Sequence, residues 1–222
     1  MGNPLDLESK RGVFIHSRRM SVRPTNEKEE SMNDVFENIY LRRSVRDYKP
    51  NDVPDEIIKE LIRAGTYAPY AIKQLRRFVV IKNREMIDRL SERAKKLWLD
   101  SMDESDPVVQ ELGVKNTLKN PEFNIFYNAP VLILIFAAPG AYTPQYDCAV
   151  AAENMMLAAK SLGIGSCWIG FGMPLDSDQD TRAELKVPEG YHLIVPLILG
   201  YPVKDIQTAP PHDEDVILNW IR

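Results

Sequence analysis

This sequence predicts an α+β architecture, on two observations. Short apolar runs of strand composition, Phe78–Ile81, Val131–Phe136, Ser166–Ile169 and Leu193–Leu199, are interspersed with stretches of helical periodicity. They do not alternate in the regular βαβ beat of a doubly wound parallel sheet. The chain has 222 residues, 44% hydrophobic and 27% charged, the proportions of a globular protein rather than a disordered one. A chain of this length buries roughly 70–75% of its unfolded surface and needs no disulfide or metal staple.

Residues 1–31 scatter Arg11, Arg18, Arg19 and Arg23 among Ser, Asn and Glu. They read as an N-terminal extension, flexible alone or docked on a partner. The folded domain is expected over 32–222. Asn33 is a good N-cap for a helix carrying Val35, Phe36, Ile39 and Tyr40. Pro54 opens a second helix with the stripe Ile57, Ile58, Leu61 and Ile62, and Gly65 suits its stop. Asn83 caps a third, with Met86, Ile87, Leu90, Ala94, Leu97 and Trp98 turned inward. Residues 100–128 are polar and irregular, as in a functional lid or excursion. Thr143-Pro144 starts a helix that ends at Gly163 and is apolar almost all round, so it should be buried on nearly every side. A second subunit is one source of that cover. Asp180–Leu185 reads as a modest helix. Pro196 places the last strand at an edge or a bulge. Val216–Ile221 reads as a short amphipathic tail.

The composition excludes several functions. Lys plus Arg is 28 against 32 Asp plus Glu, a net charge of −4, whereas a nucleic-acid binder usually carries a basic surplus. Cys148 and Cys167 are too few for a disulfide scaffold and fit a reducing cytosol. No apolar run approaches the roughly 20 residues that span a bilayer. The expectation is a cytoplasmic protein with no membrane or nucleic-acid partner. His16, His192 and His212 lie in unrelated segments without metal-ligand spacing. Neither a Gly-x-Ser-x-Gly elbow nor a Walker loop occurs.

Three segments have the chemistry of a site. Arg42-Arg43-Ser44-Val45-Arg46 sets three guanidiniums and a hydroxyl within five residues, an oxyanion receptor matched to phosphate. From composition alone it reads first as a solvated basic turn, since short basic runs usually sit on surfaces. The run Gly163 to Gly172 is dense enough in glycine for a backbone to approach a flat ligand. A helix C-cap accounts for Gly163 and a buried strand for Gly165, leaving Gly170 and Gly172. Ala68 to Gln74 reads as a connecting loop in which Gln74 could hold a planar heterocycle through its amide.

Taken in order, these segments resemble the nitroreductase family of FMN-dependent oxidoreductases. Arg42-Arg43-Ser44-Val45-Arg46 comes first, then Ala68-Pro69 and Gln74 before a strand, and Asn128-Ala129-Pro130 before another. Ala152-Glu153-Asn154-Met155-Met156, Gly165-Ser166-Cys167-Trp168-Ile169-Gly170 and Leu199-Gly200-Tyr201-Pro202 complete the series. The resemblance covers about residues 33–202. It implies a mixed sheet flanked by helices and an intertwined homodimer with FMN at the interface, bound by both subunits. It also implies hydride transfer from NAD(P)H through the flavin to a small-molecule acceptor such as a nitroaromatic or quinone, in ping-pong order.

Carried over residue by residue, the resemblance puts Arg42, Arg43 and Ser44 on the FMN phosphate and ribityl chain. Arg46 falls toward the flavin pyrimidine edge, Gln74 on the flavin, and Ile169 and Gly170 at its N5 region. No side chain is assigned as catalytic, because the chemistry is the flavin's. The 70–76 loop departs from the family pattern: Tyr70 stands for a Ser and Leu75-Arg76 for Pro-Trp. Lys73 or Arg76 then becomes the cation for the flavin O2. His212 is the C-terminal candidate for completing the phosphate site. The alternatives are a non-catalytic FMN storage or sensor protein, and specialised flavin chemistry such as reductive dehalogenation.

Overall fold

The computed structural model describes residues 33–103, 111, 113–204, 208–213 and 215–222. The extension expected over 1–31, and Pro107 in the irregular segment, lie outside them. Six helices are given labels: α1 Asp34–Leu41, α2 Asp55–Thr66, α3 Arg84–Ser101, α4 Val114–Lys119, α5 Pro144–Ser161 and α6 Gln179–Glu184. The strands are β1 Arg76–Ile81, β2 Val131–Ala137, β3 Gly165–Trp168 and β4 His192–Gly200, with a 3₁₀ helix over Gly170–Asp176.

The predicted caps form as their chemistry requires. Asn33 accepts the Val35 N–H at 2.9 Å and Asn83 the Met86 N–H at 2.8 Å. Gly163 follows α5 with φ +71°, the left-handed turn that glycine takes without penalty. The strand order is β1-β2-β4-β3, every adjacent pair antiparallel. The mixed sheet that the resemblance implies is thus, among the described residues, an antiparallel one; the parallel pairing there, between Ser44 and Ser166, is an isolated bridge outside the four strands.

All seven residues of β2 are buried, because helices cover both faces of the sheet. Val131, Ile133 and Ile135 face α2 and α5, and Leu132, Leu134 and Phe136 face α3 and the 3₁₀ helix. In β4, Leu193 and Val195 have the same parity yet lie on opposite faces. Phe136 pairs with Leu193 and Ile135 with Val195, so Ile194 is an extra residue that flips the alternation.

Three expectations need correction. Gly65 does not stop α2 but lies inside it and is buried. A Cβ there would come within 2.9 Å of Met155, so the glycine lets α2 approach α5. Pro196 is neither on an edge strand nor at the bulge; it pairs with Leu134 in a strand flanked on both sides. Its carbonyl accepts the Ile169 N–H at 2.8 Å, while the Ile169 carbonyl takes the Gly172 N–H at 3.1 Å. The 3₁₀ turn thus supplies the donor that proline lacks. The tail Val216–Ile221 forms no helix, and Val216, Ile217, Leu218, Trp220 and Ile221 are all exposed. Among the described residues, no helix is long and apolar enough to cross a membrane.

Candidate functional site

The Arg42–Arg46 run leaves the end of α1 and is laid against the outer side of β3. The Val45 N–H donates to the Ser166 carbonyl at 3.0 Å and the Lys49 N–H to the Tyr201 carbonyl at 2.8 Å. The Tyr48 hydroxyl donates to the Val45 carbonyl at 2.6 Å, bracing the bend, and burial pushes its phenol pKa up. Two glycines make this approach possible. A Cβ on Gly165 would stand 2.9 Å from three atoms of Val45, and one on Gly200 would stand 2.7 Å from the Tyr48 ring. Gly165 was assigned to a buried strand; its specific need is room for Val45.

Arg42 and Arg43 line a cleft of about 270 Å³ between α1, the α5–β3 connection and Pro202. Lys160 and Ser166 line it too. The Arg42 Nε is 3.1 Å from Glu153. The Arg43 Nε donates to the Thr208 carbonyl at 3.2 Å, tying the C-terminal segment to the run. Ser44 is exposed beside β3, and Arg46 is exposed with its guanidinium 5.8 Å from the centre of the Tyr127 ring. His212 is exposed, outside the residues that line the cleft.

At the other end of β3, Ile169 is buried and its N–H is spent on Pro196. Gly170 is exposed, and nothing lies within 4 Å of where its Cβ would be. It leads the 3₁₀ helix, so its N–H has no helical acceptor. Gly172 has a packing reason instead, since a Cβ there would meet Pro196 at 2.9 Å.

Lys73 and Gln74 are not brought to the cleft within this chain. Both are exposed, and the Gln74 Nε2 donates to the Thr66 carbonyl at the end of α2, 2.7 Å away. Ile72 between them and Ala71 holds φ +61°, an outlying conformation for a β-branched residue.

Arg76, offered from the sequence as a flavin cation, turns inward and cannot serve. It is buried, and its terminal nitrogens donate to the Ala68 and Asp147 carbonyls at 2.9 Å and to the Pro69 carbonyl at 3.2 Å. Its Nε has no partner. The Tyr70 ring lies 5.7 Å from the guanidinium. The Asp147 carboxylate is taken by the Thr143 hydroxyl at 2.8 Å and faces the Ala71 N–H at 3.4 Å. Arg76 therefore pins the 68–74 loop to the first turn of α5. Only the fold could reveal this, because the carbonyls that capture Arg76 carry no sequence signature.

Neither cysteine is primed for chemistry. Burial pushes Cys148 up to about 11, against an opposing pull from Arg76. Burial also raises Cys167, despite Arg46, Ser44 and Arg42 nearby. Sequence reasoning missed Lys160, Tyr48 and Tyr127. The glycine density of residues 163–172 is the available signal, but it reads as room for a flat ligand with Gly165 set aside as strand, so the approach of Val45 is not foreseen.

The nitroreductase family model matches residues 39–201. A protein of Methanothermobacter thermautotrophicus, named as a candidate NADH dehydrogenase/NAD(P)H nitroreductase, is 29% identical over 83% of this chain and 85% of its own length. The iodotyrosine deiodinase of Nematostella vectensis is 29% identical over 88% of this chain and 79% of its own. A Bacteroides fragilis nitroreductase, solved with bound FMN, superposes with a TM-score of 0.74 at 29% identity, covering 86% of this chain and 100% of that one. The match takes in the Arg-Arg-Ser run braced against β3 and the open Gly170 backbone and covers most of the chain, so the chain belongs to the nitroreductase family.

Proposed function

We propose that this protein is an FMN-dependent oxidoreductase that passes hydride from NAD(P)H to a small acceptor such as a nitroaromatic or a quinone. One observation supports the reading above all: the Arg42–Arg46 run is fastened along β3, whose far end leads directly into the exposed backbone of Gly170. A doubly charged phosphate needs paired cationic donors, and a flat ring needs a backbone without side chains in its way. Both are present along β3, the cations beside it and the bare backbone just past its end.

Arg42 and Arg43, with the Ser44 hydroxyl, are assigned to the phosphate and ribityl chain. Glu153 lies 3.1 Å from the Nε of Arg42, and a guanidinium carries further donors for an anion. Arg46 is assigned to the pyrimidine edge, where positive charge favours electron uptake. Of the Ile169–Gly170 pair, Gly170 has the available N–H and is assigned to the N5 side. When bound, FMN supplies the hydride chemistry, so no side-chain nucleophile or base is required. Reductant and acceptor would occupy the same open face in turn.

Lys73 and Gln74 are assigned to the flavin from a second copy of the chain. Their separation from the cleft within one chain supports a site shared across a homodimer. So does α1, which buries none of its residues and leaves Phe36 and Tyr40 stacked 6.1 Å apart in the open.

Purified protein should be yellow, with flavin absorbance near one per chain, bleached by NAD(P)H and restored by a nitroaromatic or quinone. Colourless protein that FMN cannot reconstitute overturns the reading. Bleaching without reoxidation by any acceptor favours the storage or sensor alternative. Arg43→Ala should weaken FMN binding by about 1.5–3 kcal/mol; an unchanged titration would remove Arg43 from the site. The deiodinase relative favours a second reading, reductive dehalogenation. Release of iodide from an iodinated phenol by the reduced protein would select it.

A further inference from the structure

We propose that Tyr127 is a positioning residue for Arg46, and that Arg84 holds Tyr127 in place through the turn at Asn128. The proposal rests on the reading of Arg46 as the cation at the flavin's pyrimidine edge.

The turn is conformationally costly. Tyr127 and Asn128 are consecutive non-glycine residues with φ of +51° and +56°, a region that such residues rarely enter even singly. An outlier of this kind persists only where its surroundings impose it, and here they do. Arg84, in the first turn of α3, donates to the Asn128 carbonyl at 2.9 Å and to its side-chain oxygen. Asp88 takes the Arg84 Nε at 3.0 Å and the Asn124 amide at 2.8 Å. Asn124 in turn accepts the Tyr127 N–H at 2.9 Å and the Phe126 N–H at 2.8 Å.

What the turn delivers is the Tyr127 ring. On one side it meets the Arg46 guanidinium, 5.8 Å from its centre. On the other it packs edge-to-face on Phe123 at 5.6 Å, and Phe123 packs on Phe171 at 6.5 Å. Phe171 is braced by Trp98, at 5.9 Å between rings and with a 3.0 Å bond from the indole to the Phe171 carbonyl. This aromatic chain couples the place of Arg46 to the residue that follows Gly170.

The choice of an aromatic holder matters electrostatically. Arg42 is held by a carboxylate, which offsets its charge. Among the described residues no carboxylate pairs with Arg46, and the Tyr127 ring is the group that fixes it. A ring face orients a guanidinium without neutralising it. Arg46 thus keeps its full positive charge at a defined place.

The test uses the FMN-loaded protein and measures the midpoint potential of the bound flavin by redox titration, with a thermal melt for each variant. Arg46→Met should reduce the preference for reduced over oxidised FMN by about tenfold, or about 30 mV for a two-electron couple. Tyr127→Leu should lower the potential in the same direction by a smaller factor, about threefold in the same ratio. Tyr127→Phe should keep the wild-type value, and Tyr127→Leu should add nothing in the Arg46→Met background. Should Tyr127→Leu fail to fold, Arg84→Gln carries the same prediction from a position outside the flavin site. If Arg46→Met lowers the potential but Tyr127→Leu or Arg84→Gln only lowers the melting temperature, the positioning role is overturned and the reading of Arg46 stands. If Arg46→Met leaves the potential unchanged, or FMN does not bind, that reading fails and the proposal with it.

Discussion

The two longest helices, α3 and α5, each have 18 residues and lie on opposite faces of the sheet, yet they are built on different terms. α3 is amphipathic: Ile87, Leu90 and Ala94 face the core. On its outer side Arg84 is met by Asp88, and Arg89 and Arg93 by Glu184, while the buried Lys95 is met by Glu92. α5 packs Cys148, Ala152, Met155 and Ala159 against the sheet and exposes Tyr146 and Val150 outward, with Leu162 exposed just past its end. α1 crosses that side through the bond from Asn38 to the Leu157 carbonyl and the Arg42–Glu153 pair, without burying a residue of its own. One face is closed by the chain's own side chains. The other presents apolar surface that, on the homodimer proposal, a second copy covers.

Leu90→Ala breaks the closed face. It should cost about 2–5 kcal/mol, and the loss in a denaturation midpoint should not depend on protein concentration. Ile39→Asp breaks the open face. Burying an unpaired carboxylate in the proposed interface should cost about 2–3 kcal/mol of association and shift the protein toward monomer in sedimentation, with FMN lost alongside. A monomeric wild-type protein, or a dimer indifferent to this change, would refute the assignment of α1 to the interface.

Gly165→Ala sharpens the comparison, since it acts where the Arg run meets β3. Val45 is β-branched and presents its Cβ, so it has little freedom to give way. A cost of about 1–2 kcal/mol should appear in the melt, together with weaker FMN binding as the run is displaced. The smallest effect belongs to the solvent side of α3. Hydrogen bonds and charge from Arg89, with help from Arg93, hold Glu184 below its ordinary value of 4.5. Its stabilising contribution is therefore complete above pH 4.5 and is lost as the pH falls through the lower folded value. Glu184→Gln should flatten that acid limb and cost no more than about 1 kcal/mol at neutral pH.

Much of the fold was legible in the residues. Asn33, Asn83 and Gly163 announced helix ends because capping is satisfied within a few residues of the chain. The four strands announced themselves by apolar runs, and α5 by its lack of a polar face. The Arg-Arg-Ser run was legible as an anion receptor, but its support was not, because Gly165 and Gly200 take their meaning from Val45 and Tyr48 across the sheet. The Arg76 assignment failed for a related reason. A cation in a loop next to a proposed flavin looks like a ligand until the carbonyls of Ala68, Pro69 and Asp147 are seen to converge on it.

The sequence alone determined the α+β character, the four strands, the longer helices and the family, because periodicity, capping and motif order are properties of neighbours along the chain; the short helix α4 and the 3₁₀ helix, which have no such periodicity, were not legible. The tertiary structure alone decided which glycines are contact points, how Pro196 can sit in an interior strand, why Arg76 faces inward, and that a strained Tyr127–Asn128 turn meets Arg46. Those depend on residues far apart in sequence becoming neighbours in space, and no local pattern encodes which pairs will meet.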